Sequence, residues 1–312
     1  METFERMPLI AGVPLASATL QVIAEDAGVD ILHVKGASVD PSLLQQTQEI
    51  DPDTGEVVSV PIPRSSVDAD ILVRPSHVKR LFAAMAQHRW QMVYRFEDGS
   101  AFEHASTWIR PGVCHADIHR SFPGISLAPE KAFDRLWADR HTMTLAGQEC
   151  AVPSLAGQRL ILILHAVRGG ELLNPDIERA WWAASEAEQH EVDALAVDLR
   201  AQVALAAATG RLEHHRSARE YLLWKTLSTG DSSRTTLWVA RVKAQPNPLK
   251  ALRMAYHLIA PKEGRLERDL GHKPGPAEVA RAWAIQIGLV GVELGKLGRT
   301  VFRRARGLRE GR

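Results

Sequence analysis

The sequence predicts an α+β fold: a small mixed sheet with helices packed on one face, followed by a mainly helical region. Three observations carry this. Short apolar runs with strand-like alternation recur through the first half of the chain, separated by helical patterns. After about residue 150 the apolar residues recur at helical spacing instead. The order helix, strand, turn, strand, helix and three strands leaves the helices to cover one side of a sheet. At 312 residues the chain is long enough for more than one domain. Boundaries are expected near 150 and 240: residues 1–150 as the sheet-bearing domain, 151–240 as a helical domain and 241–312 as a basic, Pro/Gly-interrupted helical segment.

In chain order, residues 17–27 read as a first helix with Ser17 as its cap, feeding a strand at Ile31-Leu32-His33-Val34. That strand breaks at Lys35-Gly36-Ala37-Ser38, a glycine turn. The stretch from Gln45 to Pro63 holds Asp51-Pro52-Asp53-Thr54-Gly55-Glu56 before β-favouring residues, the pattern of a hairpin-like flap. Its acidic residues lack the ligand spacing of a calcium loop. Val67-Asp68-Ala69-Asp70-Ile71-Leu72-Val73 reads as a buried strand.

Alternation puts Asp68 and Asp70 on one face of that strand and Val67, Ala69, Ile71 and Val73 on the other. Two like charges aimed the same way from a largely buried strand repel and are costly to desolvate. A divalent cation, Mg²⁺ or Mn²⁺, removes the conflict, because such ions are held by one or two carboxylates plus phosphate oxygens. Two solvated aspartates on an edge strand are the alternative.

A helix starting at Pro75-Ser76 follows, then strands at 90–94 and 102–109. Val113-Cys114-His115-Ala116-Asp117-Ile118-His119 is a further strand, with Asp117 on the face of His115 and His119. Beyond 150, residues 158–167 are apolar nearly all round and read as a buried helix ending in His165 and Arg168. His165 is read either as a core histidine or as a ligand contact. Residues 175–184, 186–208 and 222–239 continue as helices, 245–276 is broken by prolines and glycines, and 277–302 is a long amphipathic helix.

The order of parts is a strand ending in Lys-Gly, then Arg64 with Asp68-x-Asp70, then a strand carboxylate at Asp117 two residues before His119. In this the chain resembles the nucleotidyltransferase superfamily typified by DNA polymerase β, and within it a poorly characterised bacterial family. The resemblance spans roughly residues 17–170. It implies a polymerase β-like nucleotidyltransferase domain in which Asp68, Asp70 and Asp117 are the catalytic and metal-holding residues of a two-metal, in-line transfer. Lys35, Gly36, Ser38, Arg64 and Ser66 would bind the nucleotide, and His104, His119 and His165 would support the site from behind. Two departures stand out. The turn is Gly-Ala-Ser, which moves the hydroxyl one position later than usual, and the 45–63 stretch is longer than expected.

Composition is that of an ordinary globular chain, with 45% apolar and 24% charged residues. Cys114 and Cys150 supply neither a disulfide framework nor zinc spacing and suit a reducing compartment, so the cytoplasm is expected. Met1-Glu2-Thr3-Phe4-Glu5-Arg6 is not a basic leader, and no secretory signal is expected. The net charge of +1 hides an asymmetry. Residues 241–312 carry 16 Lys/Arg against 6 Asp/Glu, the rest 22 against 31. The acidic part suits metal and nucleotide and predicts no stable nucleic-acid groove. The basic end, from Lys296 to Arg312, is either a frayed helix terminus or a contact to anionic membrane or another polyanion.

Three function classes follow: an enzyme moving a nucleoside monophosphate, by default AMP from ATP, to an unidentified acceptor; a catalytically silent nucleotide- or partner-binding protein on the same fold; or an adaptor acting through the basic C-terminus.

Overall fold

The computed structural model describes residues 7–99, 102–230, 234–289 and 291–292. Two compact units divide the chain, residues 1–213 and 214–312. The expected boundary at 150 falls inside the first unit, because the helices after it pack into the same body as the sheet.

The first unit is built on a five-stranded mixed sheet, confirming the α+β class. Its strands are β1 (Ile31–His33), β4 (Asp68–Val73), β5 (Gln91–Tyr94), β6 (Ala105–Ile109) and β7 (His115–His119), in the order β1-β4-β7-β6-β5. β2 (Gln46–Ile50) and β3 (Val57–Pro61) form the expected hairpin as a separate two-stranded sheet. In its turn the Asp51 carboxylate accepts from the backbone N–H groups of Asp53 and Thr54 at 2.8 and 3.0 Å. That acidic residue therefore holds a turn. β4 and β7 run parallel, and the other pairings in the large sheet are antiparallel.

Helix α1 (Leu9–Asp26) and helix α2 (Val78–Gln87) cover one face of this sheet. The core there joins Val13, Ala16, Leu20 and Ile23 of α1, Leu81 and Met85 of α2, and Ile31, Ala69, Ile71, Val73, Trp108, Ala116 and Ile118 of the strands. Burying apolar surface at roughly 25 cal/mol per Å² is what fixes the register, since a one-residue slip would turn all of these outward. α1 starts eight residues before the expected site and runs through Pro14, so Ser17 is a buried mid-helix residue and not a cap. The apolar stripe from Val13 to Ile23 outweighs the hydrogen bond that Pro14 forfeits. α1 is long and apolar enough to cross a membrane, but half of it is buried in this core. Val67 also departs from expectation: it precedes β4 and is exposed.

After the short helix α3 (Phe96–Gly99), β6 and β7, helix α4 (Pro129–Ala138) leads to a hairpin of β8 (His141–Leu145) and β9 (Gln148–Val152). This hairpin packs on α1 and β1. The alternating Thr-Met-Thr-Leu run before Ala146-Gly147 is its sequence signature, and both turn residues take positive φ, 46° and 85°.

α5 (Leu155–Arg168) is buried nearly all round, as its composition requires, and Ser154 caps it by accepting from the Gly157 N–H. After α6 (Pro175–Ile177), Trp181 and Trp182 lie in a π-helical turn, Glu178–Trp182. The helix expected over 186–208 is two: α7 (Glu186–Asp198), with a Ser185/Glu188 capping box, and α8 (Gln202–Ala208). Arg200, at φ 53°, makes the break.

The second unit is helical: α9 (Tyr221–Ser228), α10 (Arg234–Lys243), α11 (Pro248–Ile259), α12 (Glu263–Leu270) and a helix over 276–289. Two of the prolines expected to loosen 245–276, Pro248 and Pro276, in fact start helices. Pro248 occupies the first turn of α11 behind the Asn247 cap, where its missing N–H costs nothing. The remainder of the helix expected to 302, and the basic run from Lys296, lie outside the described residues.

Candidate functional site

The face of the sheet opposite α1 and α2 carries the carboxylates. Register makes the arrangement explicit: Asp68 lies opposite His115, Asp70 opposite Asp117 and Leu72 opposite His119. Three aspartates from two adjacent parallel strands therefore share one face, as strand alternation predicted.

Each aspartate has its own surroundings. Asp70 is buried, and its Oδ1 receives both the Lys35 ammonium at 2.7 Å and His119 Nε2 at 2.8 Å. Burial alone would raise its pKa, but Lys35 and His119 outweigh burial and hold it well below the ordinary carboxylate range. Asp68 has the opposite balance. Burial, then repulsion from Asp70 and Asp117, pushes its pKa up to about 6, against weaker opposition from Lys35 and the Ser66 hydroxyl. Asp117 accepts a 2.6 Å hydrogen bond from the Thr107 hydroxyl, which faces it across β6.

The turn after β1 is conformationally costly. Lys35 sits at φ 64° and ψ −172°, a region essentially reserved for glycine, and Gly36 follows at φ 55°. A Cβ on Gly36 would come within 3.0 Å of Ser66 Oγ and 3.3 Å of Ser66 Cβ, so a side chain there would be strained at this φ and would have to push Ser66 back. The Ser38 hydroxyl donates to the Lys35 carbonyl at 2.7 Å, and the Ser66 hydroxyl donates to the Asp68 carbonyl at 2.8 Å. Both serines thus brace the turn and the entry to β4. The strained turn brings the Lys35 ammonium onto Asp70.

Arg64 is held by an ion pair. Its Nη2 pairs with Asp176 at 2.8 Å, and Arg179 holds the other Asp176 oxygen at 3.2 Å. Arg64 Nη1 is buried with no hydrogen-bond partner. The Asp176 contact ties the segment before β4 to the first turn of α6.

The three histidines separate. His119 lies within the carboxylate cluster itself. Asp70, Asp117 and His119 each offer a ligand atom, all within 4.8 Å of one another, and Asp68 is outside that group. His119 Nδ1 is buried without a partner. His104 and His165 form a layer with a residue that sequence reasoning did not select, Arg168. Its Nη1 lies 2.7 Å from His104 Nε2 and its Nη2 3.2 Å from His165 Nδ1. Burial first, then neighbouring cationic and imidazole groups, lowers the His104 pKa to about 2. Burial, then Lys35 and Arg168, lowers that of His165 to about 3. Both rings are therefore neutral. Burial also lowers the Arg168 pKa, opposed by Asp70 and Asp117. Thr107 was missed because only cross-strand register identifies it. Arg168 was legible as a cation one turn after His165.

A divalent ion fits this donor set. Hard oxygen ligands converge from two strands, and the Asp68 pKa is raised first by burial and then by repulsion from Asp70 and Asp117, a repulsion that such an ion would relieve. Lys35 stands where an ion on Asp70 Oδ1 would compete with it.

No protein-family pattern matches the chain, nor does any curated protein. Among solved structures, the solution structure of the antibiotic-resistance factor ANT(2'')-Ia is 13% identical, with a TM-score of 0.35, covering 68% of this chain and 99% of that one. The crystal structure of an antigenic nucleotidyltransferase-like protein from Paracoccidioides brasiliensis is 14% identical, with a TM-score of 0.33, covering 72% of this chain and 96% of that one. Similarity at this level adds no argument to the site geometry.

Proposed function

We propose that this protein is a metal-dependent nucleotidyltransferase that moves a nucleoside monophosphate, by default AMP from ATP, to an acceptor hydroxyl or phosphate. The observation that carries the proposal is the placement of Asp68, Asp70 and Asp117 on one face of adjacent parallel strands, with Asp70 directly opposite Asp117. Converging carboxylates are costly in a fold and are retained where they hold cations.

Bound Mg²⁺ or Mn²⁺ would supply charge stabilisation to the attacking and leaving oxygens of an in-line displacement. Asp68 and Asp70 would hold the ions and orient the triphosphate. Asp117, oriented by Thr107, completes the acceptor side and takes the proton from the acceptor oxygen. That oxygen forms a bond to the α-phosphorus, the bond to the β-phosphate oxygen breaks, and pyrophosphate leaves. Lys35 releases Asp70 and becomes the phosphate contact, a role suited to a compact point charge. Gly36 lets the backbone approach the phosphates closely. The two free, buried cysteines accord with a reducing compartment, and a cytoplasmic location is part of the proposal.

A second reading has one observation in its favour. Lys35 and His119 satisfy Asp70 without any metal, as a silent binding protein would require. Incubation with α-labelled nucleotides, Mg²⁺ and cell extract separates the two. Transfer of label with pyrophosphate release supports the enzyme, and saturable nucleotide binding without release supports the silent fold.

A further inference from the structure

Arg168 is a largely buried cation held by two neutral acceptors. Among the described residues no carboxylate lies within ion-pair distance of it, and its hydrogen-bond partners are the imidazoles of His104 and His165. A guanidinium cannot shed its charge to escape burial, and Asp70 and Asp117 act on it only through space, so the part of the desolvation cost they do not offset stays in the folded protein until an anion arrives. The two rings fix the plane of the fork, since each accepts from a different Nη. A pre-oriented fork is what bidentate recognition of phosphate or carboxylate needs.

Strand order says which substrate it faces. Lys35 follows β1, on one side of the β4–β7 carboxylate pair. His104 immediately precedes β6, on the other side, where Ala105 pairs with His119 and Thr107 with Asp117. Arg168 is tied to the His104 side by its 2.7 Å contact. The donor triphosphate belongs with Lys35 and Gly36, and the acceptor with Asp117 and Thr107. We infer that Arg168 binds an anionic group, a phosphate or a carboxylate, on the acceptor. The acceptor assignment rests on the transferase reading above; the anion site itself does not. Helix C-terminus stabilisation by a last-turn cation is the purely structural explanation.

The test follows the ring nitrogens of His104 and His165 by NMR in the full chain during titration with inorganic phosphate, and separately with acetate. Wild type, Arg168→Gln and Arg168→Lys are compared, with thermal melts as a folding control. Phosphate should shift both rings in wild type, and Arg168→Gln should weaken that binding about tenfold or more. Arg168→Lys should retain part of it. The tighter of phosphate and acetate identifies the acceptor's group. Affinity for Mg²⁺ with a non-hydrolysable ATP analogue should stay within about threefold of wild type in Arg168→Gln. Unmoved rings in wild type, equal shifts in Arg168→Gln, or melting effects with phosphate binding intact would overturn the inference. So would loss of analogue binding in Arg168→Gln. If wild type binds no analogue while Arg168→Gln still loses phosphate, the transferase reading fails and the anion site stands.

Discussion

Lys35 Nζ lies 2.7 Å from Asp70 Oδ1, and Lys35 holds that contact from a backbone conformation that only glycine adopts freely. The two side chains are 9% and 5% exposed, so the pair is shielded from water. A lysine kept in a strained conformation to neutralise a buried aspartate is a stand-in for the cation that the aspartate would otherwise need.

Removing Lys35 should therefore have effects of opposite sign. Lys35→Ala leaves a buried carboxylate supported by His119 alone and should cost about 3–5 kcal/mol of stability, as breaking buried pairs does. Free Mn²⁺ should bind this variant more tightly than wild type, whereas the ATP complex should bind more weakly for want of a phosphate contact. Lys35→Gly, which relieves the backbone, should be more stable than Lys35→Ala by about 1 kcal/mol. Denaturant melts and calorimetric titration check all three.

The raised Asp68 pKa makes a prediction about pH. An acid whose folded pKa lies above its unfolded value favours the unfolded state once both can ionise. Metal-free wild type should thus lose stability from Asp68 as pH rises from about 4 to about 6, and the loss should persist above that. Asp68→Asn should remove this dependence and be more stable near neutrality by something on the order of 1 kcal/mol, discounted for partial exposure. The depressed Asp70 pKa acts in the reverse direction: its stabilisation is present above about pH 4 and is lost on acidification. Chemical denaturation at several pH values, without metal, reads both limbs.

Asp117→Asn should leave nucleotide binding largely intact and slow transfer about 10²-fold or more, the scale for losing a base. Thr107→Val should give a smaller loss in the same direction, because the 2.6 Å hydrogen bond only orients the carboxylate. Equilibrium binding beside single-turnover rates separates the two effects. If Asp117→Asn lost nucleotide affinity as badly as Asp70→Asn, the division of labour would be wrong.

Deleting residues 296–312 should leave nucleotide binding unchanged, since the site is built from residues before 180. If the basic run meets an anionic surface, the deletion should abolish a salt-sensitive association, because exposed charges are screened beyond about 8 Å at physiological ionic strength. Co-sedimentation with anionic liposomes at two salt concentrations, full-length against truncated, decides whether that contact exists.

The parts of this site that sequence displayed are those governed by period and local chemistry. Alternation alone put Asp68 and Asp70 on one face, and the Lys-Gly turn and the Asp51 hairpin are local features. What sequence hid depends on register and long-range packing. Thr107 meets Asp117 only because β6 pairs with β7 at that offset, and the Arg64–Asp176 pair joins residues over a hundred positions apart. The start of α1 is hidden because Ser17 reads locally as a cap, whereas tertiary burial of Val13 and Ala16 carries the helix back to Leu9 through Pro14. His119, which the resemblance puts behind the site, stands among the carboxylates, a proximity that follows from the parallel β4–β7 register.

The central claim is that these three aspartates perform nucleotidyl transfer. The most direct measurement incubates wild type and Asp70→Asn with α-labelled ATP, Mg²⁺ and cell extract, following label in acceptor fractions together with pyrophosphate. The account predicts metal-dependent labelling with one pyrophosphate released per label transferred, and none of either from Asp70→Asn. Labelling that persists undiminished in Asp70→Asn, or its absence from wild type under every nucleotide and extract tried, would contradict it.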